Sequence, residues 1–170
     1  SEVWITGTPG TTLRSALATE PVLATFSYGA PQVQLTDLRL VGSLRVQGGK
    51  LRVLRCSISS QTSRQPNTPP AVRALSIIGG EATLVQTVLR DHVAGAIEVN
   101  AGTLSLFECR LQGSHAESGG AMLVVGDSKV TVVTSNFTGN SADYRGGAIQ
   151  VDGGRVRLFN RTLFEGNSAP

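Results

Sequence analysis

The stretch FTGNSADYRGGA at residues 137–148 is followed by FEGNSA at residues 164–169. Phe137 therefore recurs as Phe164, 27 residues later, and the Gly-Gly-Ala of 146–148 has already occurred 27 residues earlier, at 119–121. Self-similarity at a period of about 20–50 residues indicates a repeat architecture. The chain therefore repeats one structural unit.

Working outward from this stretch, each unit holds apolar residues at alternate positions in three short groups. The first group comprises Phe26/Tyr28, Leu44/Val46, Leu75/Ile77, Ile97/Val99, Leu123/Val125 and Ile149/Val151. The second begins seven residues later, with Val33/Leu35, Leu51/Val53, Ala82/Leu84, Leu104/Leu106, Val130/Val132 and Val156/Leu158. The third pairs Leu38, Cys56, Thr87, Cys109, Ser135 and Thr162 with Leu40, Ile58, Leu89, Leu111, Phe137 and Phe164. Matching Gly-Gly-Ala to Gly-Gly-Ala would instead turn Met122 and Val124 inward, and both registers are apolar.

Alternating apolar residues predict half-buried strands, and such short strands bury their apolar face only by stacking on others. The spacing from first to second group is constant, whereas the length after the third varies. A sandwich would not require turn lengths to repeat in this way, so the pattern predicts an all-β, right-handed parallel β-helix of about six coils. We predict an N-terminal strand and short capping helix within 1–25, the β-helix over 26–170 and one long loop at 59–73.

Four residues are expected to have structural roles inside the coil. Cys56 and Cys109 fall in one inward column two coils apart, about 9–10 Å, which exceeds disulfide reach and predicts two buried free thiols with Thr87 between them. Asn140 and Asn167 follow the third strand at matching places, near His92 and Ser114 in the repeat. Their side chains are expected to cap backbone groups as a stacked ladder.

Composition narrows the possible partners. The net charge is +3 and only 16% of residues are charged, with no Lys/Arg run, which argues against nucleic-acid binding. No apolar window is long enough for a membrane span. Since no basic and apolar leader opens the chain, either a targeting segment has been removed or the chain begins inside a longer protein. No capping element follows residue 170, which predicts further coils or a protein partner at that end.

The chain offers no recognisable catalytic constellation, so we predict no catalytic, cofactor-binding or metal-binding residues. Asp127 and Asp152, with Asn100, could line up near one corner, but Ca²⁺ requires six or more oxygens and solvated turn residues are the simpler interpretation. His115 has no obvious nucleophile partner. Outward Thr83, Ser105 and Thr131, flanked by Arg52 and Arg157, favour a solvated face. Asn136 and Asn160 begin glycosylation sequons.

Two short motifs resemble the repeats of polymorphic outer-membrane proteins and related pectate-lyase-like β-helix adhesins. They are Gly-Gly-Ala-[Ile/Met] at 119–122 and 146–149, and Phe-x-x-Asn at 137–140 and 164–167. The resemblance implies a surface-exposed or secreted β-helix used in adhesion or assembly. Removal of a targeting segment would also allow a location in an organelle lumen. The alternative hypothesis is a carbohydrate-binding or carbohydrate-active β-helix whose catalytic coil is absent or unrecognised, or whose groove is lined by Arg45, Arg52 and Arg55.

Overall fold

The structure, a computed structural model, describes residues 2–8, 10–14, 21–26, 32–59 and 73–170, with the backbone alone for 21–26. Within these ranges the chain forms twenty-two strands, β1–β22, and no helix. The strands pair in parallel throughout and form three long sheets and one short one.

The three long sheets take one strand from each coil. Sheet 1 contains β1 (Glu2–Thr6), β4 (Gln32–Thr36), β7 (Lys50–Leu54), β10 (Glu81–Val85), β13 (Thr103–Phe107), β17 (Lys129–Val133) and β21 (Arg155–Phe159). Sheet 2 contains β2 (Thr12–Arg14), β5 (Arg39–Val41), β8 (Ser57–Ser59), β11 (Val88–Arg90), β14 (Arg110–Gln112), β18 (Asn136–Thr138) and β22 (Leu163–Glu165). Sheet 3 contains β3 (Pro21–Phe26), β6 (Ser43–Gln47), β9 (Leu75–Ile78), β12 (Ile97–Asn100), β16 (Met122–Val125) and β20 (Ile149–Asp152). The short sheet pairs β15 (His115–Ser118) with β19 (Ser141–Arg145).

The chain visits sheets 1, 2 and 3 in turn, and within these sheets every strand except those at the two ends pairs with strands of the preceding and following coils. Neighbouring rungs of such a sheet lie about 4.8 Å apart, so each inward residue stacks on its equivalent one coil away. This architecture is a parallel β-solenoid, which confirms the predicted fold class.

One hydrophobic core runs along the solenoid. Sheet 1 contributes Leu35, Val53, Leu84 and Leu106 at one inward position of successive rungs, and all four are almost completely buried. Burying a side chain of this size contributes about 1.5–3 kcal/mol relative to leaving it exposed. Because each coil supplies the same few residues, stability accumulates from contacts between adjacent coils.

The predicted register of β16 is corrected. Met122 and Val124, not Leu123 and Val125, are buried, because Met122 pairs with Ile97 and Ile149. The Gly-Gly-Ala repeats are therefore equivalent in space. The extra residue lies in the Gly-containing corner that follows β16, where it leaves the pairing of β17 unchanged.

The first coil also differs from its prediction. Leu23 and Thr25 pair with Leu44 and Val46, so the proposed Phe26/Tyr28 pair is wrong; Phe26 pairs with Gln47, and Tyr28 lies outside the described residues. Alternating apolar residues in this segment fit either register, and pattern alone does not choose between them.

The predicted N-terminal capping helix is wrong at its start, because Thr12–Arg14 form β2 and Leu13 pairs with Leu40. A single inward leucine suits a three-residue strand as well as a helix, and here it packs against the core. Residues 15–20 lie outside the described residues, as do residues 60–72 of the predicted long loop.

Among the residues described, no helical segment has the length and hydrophobicity that a membrane span requires.

Candidate functional site

The outer face of sheet 1 carries three rows of side chains in register, two of them largely polar and the third largely apolar. Strand alternation turns every second residue outward, and parallel pairing sets equivalent residues one rung apart. The central row runs through Trp4, Gln34, Arg52, Thr83, Ser105, Thr131 and Arg157. The row beside it runs through Glu2, Gln32, Lys50, Glu81, Thr103, Lys129 and Arg155. The third row, through Thr6, Thr36, Leu54, Val85, Phe107, Val133 and Phe159, is largely apolar.

Charge is distributed unevenly along this face. Lys50 is neutralised by Glu81 on the next rung, with Nζ 3.0 Å from Oε2. Lys129, Arg155 and Arg157 form no ion pair with any described residue, although Lys129 and Arg155 occupy adjacent rungs. Like charges so close repel one another. An uncompensated positive cluster therefore lies at one end of the face, and it favours an anionic ligand.

The three cations line a shallow groove of about 700 Å³. The groove also contains the hydroxyls of Thr103 and Thr131, and Asp127 is its single carboxylate. We call this feature the basic groove and define it by Lys129, Arg155, Arg157, Thr103, Thr131 and Asp127. With three cations and one carboxylate, its formal charge is positive.

The corner between sheets 3 and 1 gives the basic groove its shape. Buried Ser128 anchors this corner, where its Oγ donates to the carbonyls of Val99 and Val125. Gly154 has φ of +79°, and a Cβ there would lie 2.4 Å from Ser128 O. Only glycine lets the two successive corners approach so closely. The backbone thus holds Lys129 and Arg155 side by side.

A smaller recess of about 130 Å³ lies at the other end of the same face. Trp4 lines it together with Gln34 and Arg52, and 64% of Trp4 is exposed. An exposed indole offers a flat apolar surface and one N–H donor. Both recesses of sheet 1 therefore lie along the same two rows.

A second polar cluster joins the last coils of the short sheet. His115 Nδ1 lies 2.9 Å from Ser141 Oγ, and His115 Nε2 lies 3.3 Å from Asp143 Oδ2. From the sequence, His115 had no obvious partner. The interval of 26 residues between His115 and Ser141, equal to a repeat length, is the signal that could have revealed one.

This Ser-His-Asp arrangement lacks the surroundings of an acyl-transfer site. Such chemistry requires hydrogen-bond donors free to bind the developing oxyanion, and backbone N–H groups beside the nucleophile commonly supply them. Here the amides of Ser141, Ala142, Gly119 and Gly120 all donate to carbonyls of neighbouring coils. The cluster therefore acts as a bridge between adjacent coils.

The predicted asparagine positions form a ladder inside the third corner. Asn140 Nδ2 donates to Leu111 O and to Asn167 Oδ1, at 2.9 Å each, and Asn140 Oδ1 accepts from Ser114 N. Asn167 Nδ2 donates to Phe137 O at 2.8 Å. His92 occupies the equivalent position, with Nε2 3.2 Å from Ile58 O. Each of these three long side chains thus binds the sheet 2 carbonyl of the preceding coil.

Cys56 and Cys109 are buried, unpaired and separated by Thr87 in the same inward column. Cys109 Sγ donates to the carbonyls of Leu84 and Phe107. Burial raises the pKa of Cys109 to about 11 and also raises the pKa of Cys56. Both thiols are therefore protonated at neutral pH and behave as small core side chains.

The remaining predicted positions are dispersed. Asn160 is exposed at a corner, whereas Asn136 is half-buried in β18. Asn100 and Asp152 lie two rungs apart with Val125 between them. Throughout the described ranges, no three His, Cys, Asp or Glu side chains come close enough to hold a metal ion.

The arginine groove of the alternative hypothesis is not formed. Arg45 lies on sheet 3, Arg52 lies on sheet 1, and Arg55 at the corner between sheets 1 and 2 binds Asp37 through two hydrogen bonds. Strand alternation could have placed Lys129, Arg155 and Arg157 together. The 26-residue interval between Lys129 and Arg155 was visible, but the shared groove depends on how the corner is shaped.

Three parallel sheets wound around one core define the described part of the chain as a parallel β-solenoid. Residues 134–152 match the Chlamydia polymorphic membrane protein (Chlamydia_PMP) repeat, which confirms the resemblance seen in the motifs. The matched segment begins in the corner after β17, includes β18 and β19, and ends with β20. Searches of the curated proteins and of the solved structures gave no match.

Proposed function

We propose that this chain is a non-catalytic, surface-exposed β-solenoid that acts as an adhesin-like binding module through the outer face of sheet 1. The matched repeat is of a kind named for membrane proteins of Chlamydia, which supports a location at a cell surface. A rigid stack of coils suits adhesion, because equivalent side chains recur at a fixed spacing over an extended face.

The observation that carries the proposal is the set of uncompensated cations in the basic groove. Lys129, Arg155 and Arg157 converge on one groove, and none of them forms an ion pair with a described residue. Their mutual repulsion opposes folding slightly and is relieved when an anionic ligand binds. This arrangement favours a binding role over a purely structural one.

Adhesion of coated beads to cultured cells tests the proposal. Beads carrying the chain are expected to adhere, and the triple variant Lys129→Gln, Arg155→Gln, Arg157→Gln should lose most of that adhesion. The matched control replaces Arg39, Arg90 and Arg110 by Gln, which removes the same charge from the outer face of sheet 2. Equal adhesion of the two triple variants would contradict a role for sheet 1.

We also propose that a further layer of strands, from additional coils or from a protein partner, covers the end of the solenoid beyond β20–β22. Val151, Leu158 and Phe164 occupy inward positions there but are exposed, whereas Val124, Val132 and Phe137 one coil earlier are fully buried. Phe164 stacks on Phe137 at 4.8 Å between ring centroids, so its other ring face is open to a third ring.

Amide hydrogen exchange tests this second proposal. Fusing a copy of the last coil after residue 170 should slow the exchange of amides in β20–β22, because the added strands would pair with them. Unchanged exchange in those strands, with the fusion folded, would show that this end does not accept another layer.

A further inference from the structure

We infer that the outer face of sheet 1 binds a linear, sulfated polysaccharide lying along the solenoid axis. This inference rests on the proposed function, because it names the class of ligand for the same face. It is carried by the order of side chains in the central row, which we call the polar track: Trp4, Gln34, Arg52, Thr83, Ser105, Thr131 and Arg157.

The middle of the polar track is a floor of hydroxyls. Thr83, Ser105 and Thr131 lie on consecutive rungs, are half-buried and point outward. A hydroxyl both donates and accepts, which matches the hydroxyls of a sugar ring. The rung spacing of about 4.8 Å is close to the length of one sugar residue in an extended glycan, so successive sugars can meet successive rungs.

Cations stand at both ends of this hydroxyl floor. Arg52 lies on one side, and the basic groove with Lys129, Arg155 and Arg157 lies on the other. Arg52 and Arg157 are four rungs apart, about 19 Å. An arginine fork binds a sulfate or carboxylate through two hydrogen bonds, and this charge-assisted geometry is stronger than a neutral contact. A neutral glycan would leave these cations without a partner.

Trp4 extends the polar track beyond Arg52. Its indole is 64% exposed and lines the small recess with Gln34 and Arg52. The apolar face of a sugar ring can pack on the indole of Trp4, with the edge of the sugar ring toward the side-chain amide of Gln34. A chain long enough to contact both Trp4 and the basic groove therefore gains two distant anchors.

A nucleic acid is the competing polyanion, and the structure favours it less. Single-stranded binding combines a positive groove with aromatic platforms for several successive bases. The basic groove itself contains no aromatic residue, and Trp4 lies six rungs from Arg157. Exposed Phe107 and Phe159 lie on the same face, but Val133 separates them, so they are two rungs or about 10 Å apart and offer no platform for successive bases. The hydroxyl floor suits sugar hydroxyls along its whole length.

Calorimetry with dextran sulfate, and with uncharged dextran as its matched control, tests the inference. Dextran sulfate should bind with an affinity that falls as salt is raised, and dextran should not bind. The Lys129→Gln, Arg155→Gln, Arg157→Gln variant should bind dextran sulfate at least about tenfold more weakly, which corresponds to the loss of about 1.4 kcal/mol. The Arg39→Gln, Arg90→Gln, Arg110→Gln control should bind within about twofold of the parent.

Ligands of different length test whether a bound chain extends along the whole polar track. Trp4→Ala should weaken the binding of long sulfated chains and leave that of sulfated disaccharides unchanged, because only a long chain reaches both anchors. Equal binding of the two triple variants, or tighter binding of single-stranded DNA than of dextran sulfate at equal charge, would overturn the inference. Bead adhesion that depends on the basic groove but resists competition by dextran sulfate would overturn it too, while leaving the adhesin proposal intact.

Discussion

Six non-glycine residues hold left-handed backbone angles at the corner between sheets 1 and 2. Their φ values lie between 49° and 56°, and the residues are Asp37, Arg55, Gln86, Glu108, Thr134 and Asn160. L-residues adopt this region at a cost of about 1–2 kcal/mol each, with Asn the most tolerant and β-branched residues the least. The corner recurs after each of the six strands of sheet 1 from β4 to β21, because the inward pairs on both sides fix the turn between them. Local strain is thus imposed by the repeat.

Thr134 is the β-branched member of this set and gives the first prediction. Thr134→Asn should raise the free energy of unfolding by about 0.5–1 kcal/mol, since asparagine relieves the strain and already occupies the same corner at Asn160. Urea unfolding with an unchanged m-value measures the gain. Thr138→Asn, in the neighbouring strand, is the control and should bring no gain. A Thr134 variant less stable than the parent would contradict the account.

His92 makes stability depend on pH. Burial lowers the pKa of His92 to about 4, although the Ile58 carbonyl and the nearby charge of Asp91 oppose the shift. The unfolded chain, with a histidine pKa of about 6.5, takes up the proton first as the pH falls. Stability should therefore be unaffected above about pH 6.5 and should decline between about pH 6.5 and 4, by on the order of 3 kcal/mol in total.

His92→Asn separates this effect from other acid-sensitive groups. Asparagine at the equivalent positions 140 and 167 donates to the preceding coil as His92 does, so the variant should fold and retain the bond to Ile58 O. Unfolding free energies measured from pH 7 to pH 4 should fall less steeply in this variant. Identical slopes in parent and variant would show that His92 does not titrate in this window.

At the scale of elements, the Gly-Gly-Ala motif is a corner with two separate demands. The first glycine has positive φ, +64° at Gly119 and at Gly146. The second has no room for a side chain, because a Cβ on Gly120 would lie 2.3 Å from both Gly147 O and Ser141 O. The alanine that follows is small and inward, and Ala121 is fully buried. The motif is therefore required by the close approach of successive coils.

Gly120→Ala tests that close approach. The backbone of the next coil would have to move, and overpacking of this kind typically costs about 1–3 kcal/mol and occasionally more. Gly139→Ala is the matched control, since a Cβ there meets nothing within 4 Å and only the φ of +61° opposes it. Its cost should be about 1 kcal/mol. Chemical denaturation compares the two, and a smaller loss for Gly120→Ala would contradict the packing argument.

The strands and their stacking were predictable because alternation, with a nearly constant interval between the first and second apolar groups, leaves few ways to bury the apolar residues. The inward columns around Cys56 and Ile58 follow from this pattern alone. The register of β16 did not follow from the pattern, because Met122 and Leu123 are both apolar. Which of them faces inward depends on the backbone fit of the Gly-Gly corner. Where neighbouring residues share hydrophobicity, pattern carries no register information.

At the scale of the whole molecule, the candidate site was predictable only in part. The row of Thr83, Ser105 and Thr131 was recognised from the sequence, but it was interpreted as a solvated face. The basic groove was not predicted from the sequence, because the shape of the corner at Gly154 and the absence of ion pairs around Lys129 are properties of the folded surface. A repeat therefore reveals its core more readily than its binding face, since the core must recur in every coil and a binding face need not.

Equivalent inward residues on successive rungs differ in solvent exposure, and this difference leads to the last prediction. Leu106 is fully buried, whereas 47% of Leu158, two rungs along the same inward column, is exposed. Leu106→Ala should destabilise the 170-residue chain by about 2–5 kcal/mol, because it removes apolar contacts and leaves a cavity. Leu158→Ala should cost about 1 kcal/mol or less, since water already reaches the side chain. Urea unfolding measures both values. When a copy of the last coil is fused beyond residue 170, the cost of Leu158→Ala should rise toward that of Leu106→Ala, because both side chains would then lie between two rungs; an unchanged cost would mean that the added coil does not continue the stack.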